Sequence, residues 1–139
     1  MCSVSTGINY YVIAENEFEY LMKINNTVVD YYNPIAIQSQ QIAEKYLKHL
    51  LDVYCTDTDN TDLLKSHKLH RIYDKISAKF TDLKLDKNDL RMLSEYYFDT
   101  RYPGVDFTFV TKEEAEKCIE IVIDVRDKVN SMIKILERK

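Results

Sequence analysis

Glycine and proline are nearly missing from this chain, two of each among 139 residues, and tryptophan is absent altogether. Gly and Pro punctuate compact β structure, so their scarcity argues against hairpins and sandwiches and for long helices with few tight turns. An all-α fold is the expectation. Cysteine is sparse too. Cys2, Cys55 and Cys118 form no C-x-x-C pair, and Cys118 falls on an expected core stripe, which argues against a zinc framework or a disulfide-stapled scaffold. No stretch approaches the roughly 20 apolar residues that cross a bilayer, and the opening MCSVSTGINYY lacks a basic segment followed by an apolar one. The sequence therefore predicts a soluble, cytoplasmic protein with no membrane association. Nor does one sign of charge dominate: 19 basic and 23 acidic residues leave a formal −4, which favours solubility and says little about partners.

What is present is enough apolar content, 45%, for one real core in a chain of this length, so a single domain over 1–139, with its core from about 9 to 136, is expected. The stretch Asn33–Tyr54 organises it. Asn33 suits an N-cap and Pro34 the first helical position, where a missing N–H costs nothing. Ala36, Gln40, Ala43, Leu47, Leu50 and Tyr54 then recur at steps of four and three, one stripe of an α-helix. Small residues in its first half (Ala36, Ser39, Ala43) admit a close neighbour, while Leu47, Leu50 and Leu51 fill a wider layer. Glu44, Lys45 and Lys48 lie beside the stripe.

Ahead of this helix, a first one is expected from Asn9 to about Asn26, with Tyr10, Ala14, Phe18, Leu21 and Val28 at helical spacing and a short antiparallel return. Behind it, CTDTDNTD reads as a loop. Its Asp57, Asp59 and Asp62 resemble the start of a calcium loop, but Asp62 stands where the tight turn wants Gly and Lys68 where a bidentate Glu is needed. A third helix is expected with Ser66 as N-cap, running to Phe80, buried on Leu69, Ile72, Ile76 and Phe80. It carries a basic stripe of His67, Lys68, Arg71, Lys75 and Lys79, which reads as a phosphate-facing surface or simply as the solvated face. His67 and His70 lack companion ligands at zinc spacing, so no metal site is predicted. At a helix N-terminus, the dipole would favour neutral His67, an imidazole able to accept a proton. Asp86 opens a further helix with Leu90, Leu93, Tyr97 and Phe98 buried, stopped by Pro103 and Gly104. The loop RYPGVDFTFV should pack on the bundle. Thr111 and Glu114 then form a capping box, with Val110 and Ala115 as a staple, for a last helix buried on Ala115, Cys118, Val122, Val125, Val129, Met132 and Leu136. Most of the eleven tyrosines are expected in the core. There is no internal repeat or low-complexity tract.

Three pieces in order, SQQIAEKYLKHLL, SHKL, and YYFDTRYPGVDF followed by TKEEAEKCIEIV, give the chain from about Asn9 to Leu136 a family likeness. It resembles the HEPN domain family (higher eukaryotes and prokaryotes nucleotide-binding domain). The resemblance implies an up-and-down helical bundle of four long helices plus a shorter one, like the substrate-binding subunit of nucleotidyltransferases, that commonly dimerises. In prokaryotes it implies a small nucleotidyltransferase partner in a two-component system, frequently of toxin–antitoxin type. It also implies ribonuclease activity resting on an Arg followed four to six residues later by a His. Here that pattern fails: the histidines are His49, His67 and His70, and the first arginine is Arg71. RNA cleavage without a metal needs a base for the 2′-OH and a cation for the phosphate, and this chain holds both outside that motif.

The family-matching polar residues are Glu44, Lys45, Lys48, His67, Arg101 and Tyr102. Arg101 could grip a phosphate, Lys45 and Lys48 could add point charges, and Tyr102 could stack on a base. Equally, Glu44 could pair with Arg101 to pin the T-R-Y-P loop, Lys48 could snorkel along it, and His67 could brace a helix start. The leading expectation is a non-catalytic dimeric module that binds nucleotide or RNA and has no resident cofactor. The alternatives are a ribonuclease toxin, with His67 as general base and Arg101 stabilising the phosphate, and a purely structural subunit.

Overall fold

The computed structural model describes residues 8–25, 27, 30–100, 103–104, 107 and 109–138. Six helices succeed one another: α1 (Tyr10–Asn25), α2 (Asn33–Tyr54), α3 (Thr61–Leu64), α4 (Leu69–Lys79), α5 (Lys87–Asp99) and α6 (Lys112–Glu137), with no strand among the described residues. The helical bundle is the one the composition called for, with one single-turn helix, α3, added inside the acidic loop. Asp59 starts that turn by accepting hydrogen bonds from the Thr61 amide (3.0 Å) and hydroxyl (2.6 Å).

α2 is the axis. Its buried residues include the runs Ile42–Glu44 and Tyr46–Leu51, so it is covered on nearly every side rather than along one stripe. α1, α4, α5 and α6 all pack on it. Cross-links fix the directions. Tyr11 meets His49 and Lys45 meets Glu17, so α1 runs antiparallel to α2. Tyr11 also reaches Asn130, and Glu15 reaches Arg126, so α6 is antiparallel to α1 and parallel to α2. At α4, His67 lies beside Glu44 and Lys79 beside the carbonyl of Tyr54, which makes α4 parallel to α2. Residues 55–68 therefore climb back along α2, and Asn60 anchors the climb by donating to the Cys55 carbonyl at 2.7 Å. α5 runs antiparallel to α4, climbing back along it, linked by Ser94 to Leu69 and by Tyr97 to His67.

The stripes foreseen on α2 and α6 are buried, with Tyr54 and Leu136 at their far ends only partly so. The capping box of α6 is formed in both directions, Glu114 N to Thr111 Oγ1 at 3.1 Å and Thr111 N to Glu114 Oε1 at 2.9 Å. Asp86 caps α5 by accepting from Asn88 N and Asp89 N.

Four local expectations are corrected. Asn33 does not cap α2: its Oδ1 accepts from the Val110 amide at 2.6 Å, tying the start of α2 to that of α6. Ser66 does not cap α4. Its Oγ accepts from Lys68 N, α4 starts only at Leu69, and the orphan Leu69 amide donates instead to Ser94 Oγ of α5 at 2.9 Å. Phe98 is 50% exposed, because one residue's turn past Tyr97 carries it off the inner face, where Ser94 is buried instead. Among the tyrosines, Tyr46, Tyr73 and Tyr97 are buried while Tyr20 and Tyr31 are exposed. The others described are partly buried, and the hydroxyls of two of them donate to carboxylates, Tyr54 to Glu137 and Tyr96 to Glu114 at 2.6 Å. Val28, placed on the α1 stripe, lies outside the described residues.

Candidate functional site

Polar groups cluster where α2, the approach to α4 and the end of α5 meet. Gln40, Glu44 and Lys48 are one α-helical turn apart, so they stack on a single line of α2. All three are buried. Glu44 is the hub. Its Oε1 accepts from Gln40 Nε2 at 3.0 Å and lies 2.9 Å from His67 Nδ1, and its Oε2 accepts from Lys48 Nζ at 2.8 Å. Gln40 Nε2 also donates to the His67 carbonyl at 3.0 Å, which holds the backbone ahead of α4 against α2. The Oε1 of Gln40 has no hydrogen-bond partner among the described residues.

His67 stands before α4 rather than inside it, which removes the helix-dipole argument made for it from the sequence. Its orientation comes from Glu44 on one edge and from Tyr97 on one face, the two rings stacked with centroids 4.7 Å apart and planes 30° from parallel. The side chain remains 44% exposed. A carboxylate on Nδ1 fixes the proton there in the neutral imidazole, so Nε2 carries the lone pair on the open edge.

The two lysines of α2 are not free point charges. Lys48 belongs to Glu44, with side-chain exposures of only 5% and 10%. Lys45 donates to both Oε atoms of Glu17 on α1 at 2.7 Å. Arg101 and Tyr102 lie outside the described residues, so the foreseen Glu44–Arg101 pair does as well. The structure thus brings together Glu44, Lys48 and His67 and places Lys45 one helix face away. Sequence reasoning missed Gln40 and Tyr97 as members of the site, having read both as core. The signal for Gln40 was an amide on an otherwise apolar stripe, one turn before a Glu.

A second polar seam joins α1, α2 and α6. Arg126 grips Glu15 through Nε (2.9 Å) and a terminal nitrogen (3.2 Å), and Tyr46 donates to the same carboxylate. Burial alone would raise the Glu15 pKa, but the bonds from Arg126 and Tyr46 outweigh it and hold it below the ordinary value. Burial and the bond to Glu15 push the Tyr46 hydroxyl upward. Nearby, His49 is 7% exposed between Tyr11 and Tyr54, its Nδ1 unpartnered, and burial depresses its pKa against the weaker pull of Asp52 and Glu137.

A surface concavity of about 700 Å³ lies elsewhere, between the end of α1 and the first turns of α6, lined by Asp30, Tyr32, Lys112 and Glu116 among others. It contains none of the residues singled out from the sequence. Among the described residues no three His, Cys, Asp or Glu side chains gather in a metal-binding group, and no helix is long and apolar enough to cross a membrane.

Comparison with curated proteins and with solved structures gave no match. The family model described as HEPN domain matches residues 11–132, which takes in α1 through most of α6 and every polar residue of the α2/α4/α5 cluster. The chain belongs to the HEPN domain family.

Proposed function

We propose that this protein is a non-catalytic HEPN module that binds nucleotide or RNA at the α2/α4/α5 junction. It works as a homodimer and pairs with a small nucleotidyltransferase in a two-component, toxin–antitoxin-like system. The observation that carries the non-catalytic reading is the commitment of both α2 lysines to carboxylates, Lys48 to Glu44 and Lys45 to Glu17. A cation neutralised in this way gives little to the charge that builds on a phosphate during cleavage. The family membership and the half-exposed His67 ring support a nucleotide-related role for the junction.

One observation favours a second reading, the metal-independent ribonuclease. Glu44 holds His67 with Nε2 outward, the posture of a general base, and Arg101 would then supply the cation. The two readings part on one experiment. Labelled single-stranded RNA is incubated with the purified protein in chelator and followed both by gel shift and by fragment analysis. The binding reading predicts a shifted, intact RNA. Cleavage that disappears in His67→Ala with the fold retained would establish the ribonuclease instead.

A further inference from the structure

The connection between α1 and α2 has exposed apolar surface on one side and unpaired carboxylates on the other. Ile13, Tyr20 and Ile24 recur at steps of seven and four, so they share one face of α1. Tyr20 is 61% exposed there, and Tyr31, just ahead of α2, is 78% exposed. With Ile24 and Pro34 these two rings wall an uncharged groove of about 290 Å³. A single exposed apolar side chain needs no explanation. Neighbouring aromatic rings around a groove mark a contact surface, because tyrosine buries a large, rigid area at little entropic cost.

The concavity of about 700 Å³ lies across the same connection, and Ile35 lines both. Three of its charged lining residues, Asp30, Glu116 and Glu120, are acidic, against Lys112 alone. None of the three acids takes part in an ion pair among the described residues, whereas Glu15, Glu17 and Glu44 all do. The residues of the connection outside the described set, Asn26, Val28 and Val29, carry no charge. An acidic lining repels nucleic acid and anionic lipid. A two-fold contact would lay the same patch on itself and bring the same acidic excess from both sides, so a basic partner matches it better than a second copy does.

We propose that this surface docks a segment of another protein, which seats an apolar or aromatic side chain in the groove and, crossing the connection, lays Lys or Arg over Asp30, Glu116 and Glu120. The ring-walled groove supplies most of the affinity, since desolvated aromatic anchors dominate interfaces, and the carboxylates select the sign of the partner and speed its approach. No residue of the α2/α4/α5 cluster lines either hollow, so the surface is independent of the nucleotide reading given to that junction.

The test is selection of a random peptide library displayed on phage against the full chain, followed by fluorescence anisotropy with the recovered peptides. Peptides that join an apolar or aromatic residue to two or more basic ones are expected. They should bind about tenfold or more weakly to Tyr31→Ser, and about threefold or more weakly to the double variant Glu116→Gln with Glu120→Gln, whose binding also loses less on adding salt. Binding to His67→Ala should be unchanged. All three substituted surface residues are exposed, and circular dichroism melts confirm that the variants are folded. Recovered peptides that lack basic residues, affinity that survives both surface variants, or recovery of no peptide would each overturn the inference. A dimer in sedimentation velocity that Tyr31→Ser dissociates would also overturn it and give the face to a second copy. Each of these results leaves nucleotide or RNA binding at the junction standing, since His67→Ala reports on that separately.

Discussion

Glu44 has three hydrogen-bonded neighbours, and its loss would strand one of them, since Gln40 keeps its bond to the His67 carbonyl and His67 is 44% exposed. The largest cost falls on Lys48, 4% exposed, whose ammonium would remain buried and unpaired. Glu44→Ala is therefore expected to destabilise the fold by about 3 kcal/mol, while the double change Glu44→Leu with Lys48→Met recovers most of it, because a buried pair replaced by apolar groups is often neutral. Urea titrations of the three proteins check this. A double variant as unstable as the single one would mean that Glu44 stabilises mainly through Gln40 and His67. The identity of the polar residues was legible in the sequence, since Glu44, Lys48 and His67 were all singled out there. Their pairing was not. It depends on residues 55–68 climbing back along α2, and nothing in the composition of CTDTDNTDLLKS reveals that path. Gln40 and Tyr97 were misread because a polar atom on a core stripe and a ring used as a platform leave the same period as plain core residues.

At the scale of elements, α2 and α6 were the most legible because of their long stripes, to which α6 adds an explicit start signal. The Thr111 box anchors α6 by two reciprocal bonds, so Thr111→Ala is expected to cost about 1 kcal/mol, read as a lowered urea midpoint with unchanged slope. The start of α4 was less legible. Ser66 has the right chemistry for a cap, but the Leu69 amide is served by Ser94 from α5, a partner 25 residues away. Ser94→Ala leaves that amide buried without an acceptor. It is expected to cost about 1–2 kcal/mol and to speed hydrogen exchange in the first turn of α4, whereas Ser66→Ala changes little. Asn33 was misplaced for a similar reason: a side chain suited to capping its own helix was taken by a distant backbone group, Val110 N–H.

For the molecule as a whole, the seam between α1, α2 and α6 contributes to the response to pH, together with His70 of α4 and Glu114 of α6, whose pKa values are also lowered. His49 has a folded pKa below its ordinary value of 6.5, so the unfolded chain takes up the proton first as pH falls. Stability is thus full above about pH 6.5 and declines below it until the folded value is passed. Glu15, lowered from its ordinary 4.5, adds a second loss in more acid solution, its contribution being present above that value and lost as pH falls through the folded one. Melting temperatures measured from pH 8 to pH 4 should therefore fall in two stages, and His49→Phe should shrink the first, leaving the share that belongs to His70, without changing the second.

The central claim is that the Glu44–His67–Tyr97 junction is a ligand site as well as a packing device. Its most direct test is the melting temperature of the wild type and of His67→Ala, each with and without ATP, adenosine and short single-stranded RNA. A ligand present well above its Kd raises the midpoint of the form that binds it. The account predicts a ligand-dependent rise in the wild type that vanishes in His67→Ala, whose own midpoint shifts only slightly because the side chain is half exposed. No rise with any ligand, together with a clearly lower midpoint for His67→Ala alone, would contradict it and make the junction a structural brace.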